Sequence, residues 1–167
     1  EVVDYGPNTE RSVAPGQLVC AAPVLLREPM EPVGYSDKIP GGFAEYMLLQ
    51  ESLIVPVPAG CSAEQAALTE PMAVGLHAVN KAQLSGKEAI LIIGAGPVGL
   101  AIITALKQID TGPIIVSDFS EGRRKLAEAI GADIVIDPAT TDPFQEPALR
   151  KREGAVIFEC VGIPGMI

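Results

Sequence analysis

The sequence is poor in several chemically informative residues: its 167 positions include no tryptophan, one histidine and three cysteines. Three widely spaced cysteines do not suit a disulfide scaffold, and they favour a reduced, cytoplasmic setting. Basic residues are also scarce, because 12 Lys and Arg stand against 21 Asp and Glu, which gives a formal net charge of -9. Nucleic acids and anionic membranes attract clusters of basic residues, so this balance argues against both as partners.

The sequence is rich in apolar residues, since 48% of its residues are hydrophobic and 20% are charged. This apolar content is enough for the core of one domain or two small ones. The uncharged stretch 89–106 is long enough to resemble a membrane span. Gly94, Pro97 and Gly99 would break a helix at its centre, so we interpret the stretch as a strand, a turn and a helix. The chain starts at Glu1 without a methionine or a leader, and we expect it to begin inside a longer polypeptide.

Proline usage divides the chain, because nine of the 15 prolines lie at or before Pro71. We predict a partial β domain over residues 1–71, followed by a second domain over residues 72–167. Glycine and proline turns in the first region bound short predicted strands and a proline-rich loop at 20–40. The predicted strands cover residues 1–5, 17–21, 43–49 and 53–57. A helical connector follows, with a capping box from Ser62 to Gln65 and a second helix that opens at Pro71.

The second region alternates apolar runs with helical patterns, which is typical of a parallel α/β sheet. The predicted strands cover residues 89–93, 114–117, 134–136 and 155–159, and the predicted helices cover residues 97–108, 121–130 and 143–150. Four strands in this order predict part of a doubly wound, Rossmann-type domain.

A glycine fingerprint lies between the first of these strands and its helix. Gly94 permits a tight turn, Gly96 lets the backbone approach a pyrophosphate, and Gly99 allows the helix to pack on the strand. The helix opens with Pro97 and Val98, and its free N–H groups can hold phosphates. A glycine-rich turn without a ligand is the alternative, but the flanking strand and helix favour dinucleotide binding.

An acidic residue, Asp118, ends the next strand 24 residues after Gly94. A carboxylate at this position accepts hydrogen bonds from the adenosine ribose hydroxyls and repels a 2′-phosphate, so it predicts NAD rather than NADP. The alternative is a helix-capping aspartate. Arg123 and Arg124 complicate the prediction, because either side chain could meet a 2′-phosphate or flank the adenine.

Several motifs together resemble the zinc-containing medium-chain dehydrogenase/reductase family of alcohol and polyol dehydrogenases. The segment 70–78 resembles the sorbitol, threonine and butanediol dehydrogenase branch most closely. The motifs are Gly-Gly-Phe-Ala-Glu-Tyr at 41–46, Glu-Pro-Met-Ala-Val-Gly-Leu-His-Ala at 70–78, the fingerprint at 94–99, Gly-Ala-Asp at 131–133 and Phe-Glu-Cys-Val-Gly at 158–162. The resemblance implies part of a GroES-like β domain followed by part of a Rossmann domain.

The resemblance also implies a chemistry in which zinc binds the substrate oxygen and a secondary alcohol gives hydride to NAD. Glu70 would be the catalytic carboxylate and a metal ligand, or would lie just outside the ligand shell. Val161 and Gly162 would lie near the adenine-side wall, and Cys160 is expected to be a buried core thiol. The upstream cysteine and Gly-His-Glu of the family are missing here, so we predict no complete zinc site in these residues.

We therefore expect an internal fragment of a homo-oligomeric enzyme that acts on a small alcohol or polyol and is inactive by itself. One alternative is a zinc-free, NADPH-dependent quinone or enoyl reductase of the same fold. Glu70 and Asp118 both argue against that reductase. A second alternative is a non-catalytic nucleotide-binding module that senses the state of the cofactor.

Overall fold

The structure is a computed structural model that describes residues 1–163. The chain divides into two compact units, Glu1–Thr69 and Glu70–Ile167. The boundary predicted between residues 71 and 72 stays a prediction.

The first unit contains short antiparallel strand pairs. Strand β1 pairs with β4, and β2 pairs with β3. A 3-10 turn precedes β4, and the predicted capping box opens α1, where Ser62 and Gln65 each bond the backbone N–H of the other. The elements are β1 (Val19–Ala21), β2 (Val24–Leu25), β3 (Glu31–Pro32), the 3-10 turn Glu51–Leu53, β4 (Ile54–Pro56) and α1 (Ala63–Ala66).

Two predicted strands in this unit are wrong. Residues 1–5 form no strand, and Val2 exchanges backbone hydrogen bonds with Gly16 and Gln17 without extending a ladder. Residues 43–49 form no strand either, and Phe43 is fully exposed. Conversely, β2 and β3 lie inside the segment predicted as a proline-rich loop. Alternating apolar residues predict a strand only where a partner strand is within reach, and the sequence pattern does not show the partner.

The second unit is a parallel sheet in the order β7-β6-β5-β8, with helices in its connections. Helix α2 starts two residues before Pro71 and runs through it, which corrects the predicted helix start. Proline is tolerated there because the first turn of a helix needs no internal N–H donor. The elements are α2 (Thr69–Ala82), β5 (Ala89–Ile93), α3 (Pro97–Leu106), β6 (Ile114–Ser117), α4 (Glu121–Ile130), β7 (Ile134–Ile136), the 3-10 turn Pro143–Gln145, α5 (Pro147–Arg150) and β8 (Ala155–Glu159).

Strand β5 forms the centre of the core, since each of its five residues is at most 4% exposed. Ile92 packs with Ile103 and Leu106 of α3 on one face of the sheet. On the other face, Leu91 packs with Ile115 and other apolar side chains. Burying each such side chain stabilises the fold by roughly 1.5–3 kcal/mol. A strand that is apolar on both faces requires cover on both sides of the sheet, so the predicted α/β class with a Rossmann-type parallel sheet is confirmed.

The parallel arrangement brings the carboxyl ends of β5, β6 and β8 to one edge of the sheet. Gly94 follows β5, Asp118 follows β6, and Glu159 ends β8. Ligands of open α/β sheets bind at this edge, so the fold collects the residues that the sequence singled out.

Among the residues that the structure describes, no helix combines the length and the apolar character needed to cross a membrane.

Candidate functional site

The glycine turn after β5 has a geometry that only small residues allow. Gly94 has a φ of 96°, and a Cβ added there would lie 2.8 Å from Cγ2 of Val161. A Cβ on Gly99 would overlap the carbonyl oxygen of Gly94, so glycine is needed where α3 passes over the turn. At Gly96, in contrast, no described atom lies within 4 Å of an added Cβ. The turn is therefore tightly packed on the protein side and open where a ligand would approach.

Helix α3 starts at the open side of this turn. Its N-cap, Gly96, has no side chain to cap the helix, and Pro97 is its first residue. The N–H groups of Val98 and Gly99 belong to the first turn, where an α-helix supplies no internal acceptor. Free N–H groups together with the positive end of the helix dipole suit an anion such as a phosphate.

Asp118 connects the end of β6 to the glycine turn and is only 9% exposed. Its Oδ2 accepts a hydrogen bond from the N–H of Ala95 at 2.8 Å, and its Oδ1 accepts one from the N–H of Ser120 at 2.7 Å. A carboxylate has about four lone-pair sites. Two remain for a ligand hydroxyl, so the side chain can hold the turn and still accept hydrogen bonds from a ribose.

The two neighbouring arginines have different roles in the structure. Arg123 is 59% exposed in its side chain and lies 3.7 Å from Oδ2 of Asp118. Arg124 is 16% exposed, donates to the carbonyl oxygens of Asp118 and Phe119 at 2.8 and 2.9 Å, and pairs with Asp137 at 3.0 Å. Arg124 is therefore committed to holding the β6–α4 turn, and Arg123 is the one of the two that can reach a ligand.

The segment after β8 closes the other side of the glycine turn. The N–H of Cys160 donates to the carbonyl oxygen of Ile93 at 2.9 Å, and Val161 contacts the position that a Gly94 side chain would fill. Burial of the Cys160 thiol, with a smaller contribution from the charge of Glu159, raises its pKa from 9.0 to about 11. The thiol is thus protonated at neutral pH, as suits a packing residue rather than a nucleophile.

Glu70 lies apart from this constellation, in the first turn of α2, and is exposed. Its carboxylate has no hydrogen bond or ion pair with any residue in the described range 1–163. Within that range no group of three or more His, Cys, Asp or Glu side chains could hold a metal ion. His77 is exposed on the same helix. The described residues therefore do not fit a zinc ion, and the metal role of Glu70 stays a prediction.

A cavity of about 610 Å³ lies at the other end of the sheet, beside the first residue of β6, Ile114. Leu106, Asp110 and Lys151 are among its lining residues. It opens at the amino ends of the strands, whereas the glycine turn and Asp118 lie at the carboxyl ends. This cavity is therefore not part of the candidate site.

The structure brings together most of the residues that the sequence predicted for a cofactor. Gly94, Asp118 and Val161 meet around one turn, and Arg123 borders it. The hydrogen bond from the N–H of Ala95 to Asp118 was not predicted, because a sequence carries no signal for it. The hydrogen bonds of Glu159 were not predicted either, although the spacing Glu-x-x-Gly at 159–162 could have indicated a local side-chain cap.

Comparisons with known proteins agree with this architecture. The sequence model of the family described as zinc-binding dehydrogenase matches residues 97–167. The (R,R)-butanediol dehydrogenase of Bacillus subtilis is 38% identical over 126 residues, which cover 74% of this chain and 36% of that protein. The crystal structure of 2R,3R-butanediol dehydrogenase from Bacillus subtilis superposes with a TM-score of 0.78 at 33% identity, over 97% of this chain and 49% of that one.

A further solved structure is acetophenone reductase from Geotrichum candidum in complex with NAD. It has a TM-score of 0.71 and 28% identity, over 81% of this chain and 44% of that one. The chain thus spans between about a third and half of the length of these relatives. The family match over α3 to the end of the chain, the curated relative and the shared fold lead to one conclusion: this chain belongs to the zinc-containing medium-chain dehydrogenase family.

Proposed function

We propose that this chain supplies the NAD-binding unit of a dehydrogenase that acts on a small secondary alcohol or polyol. The observation that carries the proposal is the Asp118 carboxylate, which lies beside the open face of the glycine turn with two acceptor sites unused. The names of the relatives support the alcohol or polyol as substrate, and the acetophenone reductase structure contains NAD.

Different residues of the site would contact different parts of the cofactor. The N–H groups at the start of α3 would hold the pyrophosphate, with Gly96 leaving room for it. Asp118 would accept hydrogen bonds from the adenosine ribose, Arg123 would flank the adenine, and Val161 would form the wall on the far side. When bound, NAD supplies the nicotinamide ring that accepts a hydride from the alcohol carbon.

The preference for NAD over NADP follows from charge. A 2′-phosphate would approach the Asp118 carboxylate, and two negative groups in a partly buried site repel each other. Arg123 could compensate only in part, because its guanidinium already lies 3.7 Å from the same carboxylate. We assign zinc chemistry to the whole protein and not to this chain alone. We still expect that protein to be a homo-oligomer in the cytoplasm.

Isothermal titration of the purified chain with NAD and with NADP tests the proposal. We expect NAD to bind at least about tenfold more tightly, a difference of about 1.4 kcal/mol. Asp118→Ala should shrink that ratio, while Glu128→Ala should leave it unchanged. Glu128 is an exposed carboxylate on α4 with no side-chain partner in residues 1–163, so it matches the charge change. Equal affinity of the wild-type chain for both cofactors would contradict the proposal.

A further inference from the structure

The last strand ends in a carboxylate that folds back on its own chain. Oε1 of Glu159 accepts hydrogen bonds from the N–H groups of Val161 at 2.6 Å and of Gly162 at 3.0 Å, and Oε2 lies 3.2 Å from the latter. Gly162 has a φ of 75°. Two successive N–H groups that point at one anion form a concave anion-binding turn, which here is filled from within the chain.

This turn decides where Val161 lies. Val161 follows directly on Cys160, whose N–H is bonded to the end of β5, and its side chain packs against Gly94. Val161 is 41% exposed, so packing alone does not hold it firmly. Without an acceptor at position 159, both N–H groups would donate hydrogen bonds to water, and the segment after β8 would sample other conformations.

We propose that Glu159 is a positioning residue for cofactor binding: its carboxylate holds Val161 against the glycine turn and so forms the adenosine wall before the cofactor arrives. The inference rests on the proposed function, since it assigns Val161 to the adenosine side of an NAD site. Asp118 and Glu159 then act as a pair at the ends of β6 and β8, the two strands that flank β5. Each carboxylate bonds backbone N–H groups just beyond its own strand, and the glycine turn lies between them.

The expected effect follows from the fraction of molecules in which the wall is formed. If loss of the Glu159 carboxylate leaves the wall formed about one tenth of the time, the apparent Kd for NAD rises about tenfold. Glu159→Gln keeps an oxygen that can accept from both N–H groups, so its Kd should remain within about twofold of wild type. Glu159→Asp keeps the charge and shortens the side chain by one methylene, so we expect it to lose the hydrogen bond to Gly162.

Isothermal titration with NAD and with ADP-ribose on the purified chain separates these cases. We expect Glu159→Ala and Glu159→Asp to weaken both ligands and Glu159→Gln to restore binding, while Glu128→Ala changes neither. The rescue by glutamine and the failure of aspartate identify a hydrogen-bonding role, which loss of charge or general loss of stability would not reproduce. Far-UV circular dichroism verifies that each variant is folded.

Two results would overturn the inference. Binding of NAD by Glu159→Ala within about twofold of wild type would show that the wall forms without the carboxylate. Equal weakening in the glutamine and alanine variants would show that charge, and not the hydrogen bonds, matters. If the alanine variant fails to fold, the comparison of NAD affinity between Glu159→Gln and Glu159→Asp still tests the inference. A wild-type chain that binds no NAD would instead refute the proposed function itself.

Discussion

Asp118 offers the sharpest test of how the glycine turn is held, and the perturbation is Asp118→Ala. The carboxylate accepts two backbone hydrogen bonds, one of them from the N–H of Ala95, which is fully buried. A hydrogen bond to a charged group contributes roughly 1.5–3 kcal/mol, and a buried N–H left without an acceptor costs a similar amount. Ser120 is exposed, so water can replace its bond. We expect a loss of about 2–4 kcal/mol in the free energy of unfolding.

Urea unfolding followed by far-UV circular dichroism measures this loss in the second unit. The three tyrosines, Tyr5, Tyr35 and Tyr46, all lie in the first unit and the chain has no tryptophan, so intrinsic fluorescence would miss the relevant transition. Asp118→Asn keeps one acceptor and turns an amide NH₂ toward the other N–H, so it should cost about half as much. Glu128→Ala is the control for the lost charge.

A loss below about 0.5 kcal/mol in Asp118→Ala would refute the reasoning, because that is the range of ordinary surface substitutions. The result also bears on cofactor preference. If Asp118 holds the turn, its removal weakens NAD binding itself, and does more than relax discrimination against NADP. Titration of the folded variant with both cofactors, in the absence of urea, separates the two effects.

Two further predictions concern the same edge of the sheet. Gly99→Ala should unfold the second unit or abolish NAD binding, because its Cβ would overlap the Gly94 carbonyl. Gly96→Ala should instead keep the wild-type unfolding midpoint and lose affinity for NAD. Equal unfolding midpoints for the two variants would contradict the packing argument. Cys160 should react slowly with iodoacetamide at pH 8 and quickly in urea. Because its folded pKa of about 11 lies above 9.0, its contribution to stability is present below pH 9 and disappears as pH rises through 11, which a Cys160→Ala comparison across that range would reveal.

The sequence predicts the second unit much better than the first, for a physical reason. Strands such as β5 and β6 are covered on both faces, so they appear as unbroken apolar runs, and α4 lies between a capping Ser120 and Gly131. Their predicted bounds agree with the structure. The strands of the first unit are only two or three residues long, too short to show a periodic pattern, and β1 depends on a partner, β4, far along the chain.

The candidate site divides in the same way. The glycine fingerprint and Asp118 are local patterns at strand ends, so the sequence locates them. That Asp118 bonds Ala95, and that Arg124 is committed to Asp137, depends on how neighbouring strand ends approach each other. The roles of Glu70, Arg123 and Val161 toward cofactor and metal stay predictions until binding is measured.

The pairing of β5 with both β6 and β8 has a consequence for how the site assembles during folding. Leu91 faces Ile115, 24 residues away, on one side and Ile157, 66 residues away, on the other. Closing the longer loop costs about 0.9 kcal/mol more in chain entropy, so β8 is expected to join after β5, α3 and β6 have associated. The glycine turn thus forms before Val161 can pack against it. The ability to recognise a nucleotide is therefore among the last properties that the folding chain acquires.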